Sequence, residues 1–505
     1  MKKILIIKNS ICVLAFALFA FTITSCVGSG SGNDGTKSTT QNVITTDPKC
    51  FNFDINTNTI TGLTKVTGCD ISHIVIPETI DGFKVTTIGN NAFRDNTALT
   101  TAKMPNVTNI GDAAFFGNTS LTTVTMPEVT NIGDAAFFGN TSLTTVTMPE
   151  VKKIGNAAFY GNKALITVNM PKVTTIGVQP FRANTALTTV EMPEVKEIGN
   201  FAFQGNIALT TVYMPKVKGI GYDAFRDNTT LTTVTMSEVT IIGPGAFRGT
   251  ALTEVTMPLV ITIEYDAFRD NTALTTAKMP KAITIGNAAF QGNTYLTTVD
   301  ISKATTIGAG TFQGTALTEV KMPEVTNIGY DAFRDNTTLE TVNMPLVTTI
   351  GGGAFRDNKA LTEVKMPLVT TIGNDAFRDT ALTTAKMPKA ITIGNAAFKG
   401  NTYLTTVDIS KATNIGAGTF QGTALTTVEM PKVTTIGDGA FKGNTALTTV
   451  NMPLVTTIGD GAFYGNTKLT AVTLPISFDN LGLTTYFDYG NTTGGSITFT
   501  FTPTP

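Results

Sequence analysis

Apolar residues return along this chain with a period too long for one helix or one strand. Leu121, Val124, Met126, Val129, Ile132, Ala136 and Phe137 are separated by threonine, glutamate, asparagine and glycine, and the same arrangement recurs over most of the sequence. The unit reads L-T-T-V-x-M-P-x-V-T-x-I-G-x-x-A-F-x-x-N-T-x. Its phenylalanine stands first at Phe93 and last at Phe463, in 18 copies separated by 13 intervals of 22 residues and four of 21. The copies are contiguous, with no inserted domain. Self-similarity at such a period marks a solenoid, in which one coil cannot bury its apolar face and stacked neighbours can.

Within the unit, Thr123-Val124-Thr125-Met126 alternates as a strand does, with Val and Met inward and the threonines outward. Pro127 ends that strand because it has no N–H for a ladder, and Gly133 supplies a turn. Eighteen coils at about 4.8 Å each make a parallel sheet about 85 Å long. The fold class is therefore a mainly β repeat solenoid, with one long parallel sheet and irregular or short helical turns on the other face.

With these residues in place, the unit L-x-x-V-x-M-P-x-V-x-x-I-G-x-x-A-F resembles the BspA-like leucine-rich repeat of bacterial and protist surface proteins, over about four fifths of the chain. Val and Met replace many of the leucines in the family's name. The resemblance implies a right-handed leucine-rich-repeat coil. Where the family often has cysteine, this chain has Asn118, Asn140, Asn162 and their equivalents. An inward asparagine bonds neighbouring backbone groups and makes a ladder there. The four short repeats carry Gly249-Thr250, Gly314-Thr315, Asp379-Thr380 and Gly422-Thr423 instead, so the ladder is expected to break at each.

The ends depart from the repeat. Residues 1–25, with Lys2, Lys3 and Lys8 before the apolar run Ile11–Phe21, read as an export signal too short for a membrane span. Ile23-Thr24-Ser25-Cys26 resembles the lipobox of bacterial lipoproteins, which implies acylation of Cys26 and anchoring to the outer membrane at the cell surface. An ordinary signal peptide with an incidental cysteine, or an uncleaved anchor, is the competing reading. Residues 26–49 read as the lipid anchor at Cys26 and a flexible tether containing Gly28-Ser29-Gly30, with no strand or helix to make its glycines a phosphate loop. Residues 50–86 read as a capping hairpin and leading repeat, 87–475 as the solenoid, and 476–505 as a C-terminal β cap. In an oxidising compartment Cys50 and Cys69 are expected to pair across the hairpin, worth about 3 kcal/mol, two free thiols being the alternative.

Composition narrows the function. Lys+Arg 36 against Asp+Glu 37 leaves no excess cation for nucleic acid. His73 is the one imidazole, which leaves no Ser-His-Asp or zinc arrangement. Glu128, Glu150 and Glu194 recur on a turn as solvating residues, and Asp460 between Gly459 and Gly461 lacks calcium-loop spacing. No enzyme activity, cofactor, metal or small-molecule substrate is expected.

The outward position between Val and Met varies while its neighbours hardly do. Together with the outward glutamates two residues earlier, it yields a candidate binding face at Tyr213, Lys278, Asp300, Glu319, Lys321, Glu363, Lys365, Lys386, Asp408 and Glu429. Regular rows on a rigid lattice are how solenoids present ligand surfaces, although unconstrained drift leaves the same trace. Charged residues and a tyrosine interrupt the threonines, against an ice-binding surface. Ala273–Phe290 is identical to Ala381–Phe398, 108 residues on, so blocks of five repeats have been duplicated. That fits an adjustable length without a unique active-site loop, and equally slippage of DNA. The resulting expectation is a non-enzymatic surface lipoprotein adhering to host or extracellular-matrix proteins, with a periplasmic envelope scaffold or glycan binding as alternatives.

Overall fold

The computed structural model describes residues 45–479, 482–487 and 497–503. The signal segment, Cys26 and the tether up to residue 44 lie outside them. Thr45–Pro505 is one compact unit, and the buried core among the described residues belongs to it.

Each coil has three bonded sides. On the first, strands such as Thr123–Thr125 and Thr145–Thr147 pair in parallel, Val124 opposite Val146. Pro127 follows directly after Met126, whose amide still donates to the Thr147 carbonyl at 3.0 Å. On the second side, two-residue strands such as Asn131–Ile132 and Lys153–Ile154 join one 20-stranded sheet, parallel except at its leading hairpin. The third side has no strand. There each Phe amide donates to the carbonyl before the next coil's Phe, Phe115 to Ala136 and Phe137 to Ala158 at 2.7 Å each, ending with Phe463 to Tyr486 at 2.9 Å. Among the described residues the only helices are single 3₁₀ turns.

The continuous sheet is thus the Ile column, not the Thr-Val-Thr-Met column in which the sequence pattern places it. A pair of residues too short to show alternation gives no strand signal, yet two hydrogen-bonding residues per coil suffice when the next coil is in register.

Inside, Leu121, Val124, Met126, Val129, Ala136 and Phe137 are wholly buried, and Ile132 is 2% exposed. The phenylalanine rings stack from Phe93 to Phe463 with neighbouring centroids 5.0–5.4 Å apart. Phe487 extends the stack at 4.9 Å, and Phe51 sits edge-on over Phe93 at 6.3 Å. Gly133 does not make its turn through an unusual backbone angle. A Cβ there would lie 2.7 Å from the Asp112 nitrogen and the Gly111 carbonyl carbon of the preceding coil, so this glycine lets the backbones close up.

The asparagine row is present. Asn140 Nδ2 donates to the Phe115 carbonyl at 3.0 Å, and the Asn206 amide donates to Asn228 Oδ1 at 2.8 Å. The expected breaks occur in part: the Thr250 amide and hydroxyl bond Asn271 Oδ1 at 2.7 and 3.0 Å, and Thr315 and Thr423 do the same with Asn336 and Asn444, but Nδ2 of Asn271, Asn336 and Asn444 lacks its bond to a Phe carbonyl. At the remaining short repeat, the third along the chain, the Thr380 hydroxyl bonds Asn401. A buried threonine supplies an amide and a hydroxyl where the asparagine is missing, so the link to the next coil survives.

At the front, Phe51–Asp54 and Thr59–Leu63 form an antiparallel hairpin, and Ile60 pairs with Ile88 to add the first rung of the long sheet. Cys50 and Cys69 form a disulfide. A second hairpin, Thr79–Ile80 with Phe83–Lys84, turns through Asp81 and Gly82, both at positive φ as a two-residue turn requires. At the far end Thr498–Thr502 pairs in parallel with Ala471–Pro475.

Candidate binding face

The outward residues of the three-residue strands form two parallel rows, since successive strand residues point to opposite sides. Tyr213, Lys278, Asp300, Glu319, Lys321, Glu363, Lys365, Lys386 and Glu429 are exposed, and Asp408 is half-buried. Register brings Tyr213 between Glu191 and Thr235, Lys278 opposite Asp300, and Lys386 opposite Asp408. Asn343 separates Lys321 from Lys365.

Much of the charge is matched within the face. Lys321 pairs with Glu319 at 2.7 Å, Lys365 with Glu363 at 3.2 Å and Lys278 with Glu254 at 3.6 Å, while Asn451 donates to Glu429 at 2.7 Å. Exposed pairs of this kind contribute about 0–1 kcal/mol each. Lys386 makes no ion pair among the described residues.

The row is not continuous. Strand pairing lapses between Thr145–Thr147 and Thr167–Asn169, and again after Thr235, Asp300, Lys365 and Asp408. The last four gaps coincide with the four short repeats. Each has lost one residue between its Phe and its strand, as Phe247-Arg-Gly-Thr-Ala-Leu252 against Phe225-Arg-Asp-Asn-Thr-Thr-Leu231 shows. The strand is therefore reached by a tauter segment and its ladder opens. The first gap has no such cause in the structure. At four of the five gaps the inward valine on the near side, Val146, Val234, Val299 and Val407, is only partly buried against the core. The face is thus a series of short sheets separated by partly uncovered apolar notches.

The other residues singled out in the sequence lie apart from this face or in its border. His73 begins His73–Val75, the leading strand of the three-residue-strand side, and is exposed, with Nδ1 2.9 Å from the Thr101 hydroxyl and 3.0 Å from that of Thr100. Asp70 nearby is held below the ordinary carboxylate range by hydrogen bonds from the Ser72 hydroxyl and amide. Glu150 pairs with Lys172 at 2.5 Å and Glu194 with Lys216 at 2.7 Å, one coil on. The Glu194 carboxylate in turn raises the Lys216 ammonium above its ordinary range. Among the described residues no cluster of three or more His, Cys, Asp or Glu could hold a metal ion, and no helix is long and apolar enough to cross a membrane.

Two surface features went unread in the sequence. D-A-F-R-D segments make arginine–aspartate clusters, Arg226 with Asp223 and Asp227 at 3.1 and 3.3 Å, and Arg378 with Asp375 and Asp379 at 3.2 and 3.3 Å. Their signal was the recurrence of Arg directly after the buried Phe. In the early coils that position holds Phe116, Phe138 and Tyr160, stacked 4.8 Å apart, with Arg94 4.4 Å over the first ring.

With this geometry in view, comparison with known proteins gives the class. The family described as BspA type Leucine rich repeat region (6 copies) matches residues 62–183, 108–232, 152–275, 219–340, 261–381, 326–447 and 370–493. The chain belongs to this family. It is similar to the solved structure of a leucine-rich repeat protein from Bacteroides ovatus ATCC 8483, at 21% identity over 90% of this chain and 97% of that one, with a TM-score of 0.41. It is also similar to a leucine rich cell surface protein from Faecalibacterium prausnitzii A2-165, at 22% identity over 87% and 96% with a TM-score of 0.31. The T. pallidum leucine rich repeat protein is 25% identical over 41% of this chain and 89% of its own, with a TM-score of 0.31. No curated protein matches.

Proposed function

We propose that this leucine-rich repeat protein is an exported, non-enzymatic surface lipoprotein, acylated at Cys26, whose strand face binds host or extracellular-matrix proteins. The observation that carries the reading is the contrast within each strand, where buried Val and Met hardly change while the exposed residue between them runs through Lys, Asp, Glu, Asn, Tyr and Thr. Mixed charges that are paired only at the surface, beside partly uncovered valines, suit a protein partner with its own charged and apolar groups.

The test is binding of purified residues 45–505, which hold the whole core, to a panel of matrix proteins, with glycans and envelope extract for comparison. Saturable, salt-sensitive binding to one matrix protein is expected, lost when Lys321, Lys365 and Lys386 are changed together to alanine. Binding to none of the matrix proteins refutes adhesion. Protease shaving of intact cells tests exposure separately, and full protection of the repeats would place the solenoid inside the envelope.

A further inference from the structure

Beyond the Met-Pro turn from the strand face lies a second surface, formed by the residue after each Pro (or its Ser replacement) and by the outward residues leading into the long sheet. Between residues 238 and 475 the exposed aliphatic side chains are Ile241, Leu259, Ile261, Ile283, Leu346 and Ile391, at 37–50% exposure, and all six lie on this surface. Every other exposed large apolar residue in that stretch is a tyrosine. The position after the Pro also carries Lys281, Lys303, Lys389, Lys411 and Lys432, against Glu238 and Glu324 as its acids. Glu324 pairs with Lys303 at 2.5 Å, and the other four lysines make no ion pair among the described residues. Ile261, Lys281, Ile283 and Lys303, with Thr305 and Glu324, line one shallow open depression, so the aliphatic and cationic columns adjoin there. The duplicated block repeats the arrangement five coils on, with Leu368, Lys389, Ile391 and Lys411 standing where Leu259, Lys281, Ile283 and Lys303 stand, and Lys432 replaces Glu324.

From this we infer that the Ile–Leu–Lys surface between residues 238 and 457 lies against an anionic lipid bilayer. The chain as a whole is nearly neutral, yet the position after the Pro carries five lysines against two glutamates, four of the lysines without an ion pair among the described residues. Aliphatic side chains with unpaired lysines beside them match a plane that offers acyl chains below and negative headgroups above. The columns extend over about 50 Å of coils, a length that a plane can engage throughout.

The experiment is sedimentation of residues 45–505, which lack the proposed anchor, with vesicles of phosphatidylcholine alone and with equal phosphatidylglycerol. Partition into the phosphatidylglycerol vesicles at low salt is expected, with little into the neutral ones. Changing Lys389, Lys411 and Lys432 together to Glu should lower it tenfold or more, and changing Ile261, Ile283 and Ile391 together to Ser should lower it too. All six are exposed, and unchanged thermal melting of each variant would verify folding. Changing Lys321 and Lys365 to Glu on the strand face should leave partition close to wild type; an equal loss there would reduce the effect to net charge and overturn the inference. Absence of partition also overturns it, and so does retention by immobilised polyglutamate but not by vesicles, which would assign the surface to an acidic polypeptide.

Discussion

Replacing Phe290 by alanine tests the stacking that holds the coils together. The ring is wholly buried, with centroids 5.2 Å from Phe268 on one side and 5.3 Å from Phe312 on the other. A phenylalanine buries about 200 Å², which at about 25 cal/mol per Å² is about 5 kcal/mol, and large-to-alanine changes in cores cost about 3–5 kcal/mol. Because a coil touches only its neighbours, that loss is concentrated at one interface pair instead of shared over the array. An array of this length need not unfold in one step, so amide hydrogen exchange by coil is a better assay than a single melting temperature. Protection should fall at the coils of Phe268, Phe290 and Phe312 and recover with distance on both sides. Phe51→Ala, which removes one edge-on contact at the end of the stack, should affect the first coil alone. Unchanged exchange around Phe290 would refute the inward stack, and a uniform loss from end to end would refute nearest-neighbour stability.

Two glycines separate close approach from backbone freedom. At Gly199 a Cβ would lie 2.1 Å from the Gly177 carbonyl oxygen, whereas at Gly139 it meets nothing within 4 Å but the residue has φ of 69°. In thermal melts Gly199→Ala should destabilise by several kcal/mol and Gly139→Ala by about 1 kcal/mol, the usual cost of a left-handed alanine. Reducing Cys50–Cys69, or changing both to serine, should cost about 3 kcal/mol locally, seen as earlier proteolysis of the hairpin with the central coils unaffected. Asp54 accepts from the Thr57 hydroxyl and the Asn56 amide, which lower its pKa below the ordinary 3.8. A depressed carboxyl stabilises above its unfolded value and loses that contribution as pH falls through the folded one. Protection of the hairpin turn, taken relative to intrinsic exchange at each pH, should therefore fall below about pH 4, and Asp54→Asn should remove that fall.

The repeat length, the inward columns and the strand between Thr123 and Thr125 were legible because each leaves a periodic apolar mark. The long sheet was not, since Asn131–Ile132 is too short to alternate, and it emerges only when Ile132 lies beside Ile110 and Ile154. The role of Gly133 was also hidden, because a glycine required by the next coil's backbone looks the same in sequence as one required by a turn. Of the binding face, the variable residues could be read directly, but their pairing could not. Lys321 and Glu319 are two residues apart on one strand, and only side-chain geometry decides that they bond each other at 2.7 Å. Threonine at 250, 315 and 423 was read as a gap because it lacks the amide, yet an amide N–H and a hydroxyl at the same place keep the bond.

The short repeats connect the architecture to the proposed binding. Across the first of them, Phe247 still bonds Ala267 at 2.8 Å and Ile242 still pairs with Ile263, so two sides of the coil pass the deletion unchanged. The first side absorbs it, and that side is the strand face. Coils can accordingly be duplicated or trimmed without loss of the stack, as the identity of Ala273–Phe290 with Ala381–Phe398 illustrates, while each trimmed coil divides the outer row. Tyr213 then belongs to one short sheet, Lys278 and Asp300 to a second, Lys321 and Lys365 to a third, Lys386 and Asp408 to a fourth, and Glu429 to a fifth. On the proposed function, a partner seated on this face would engage one or two of these sets together with the valine at their boundary, Val299 or Val407, rather than the whole row. Changes confined to a single set should therefore remove binding where the same number spread over all five would weaken it only partly.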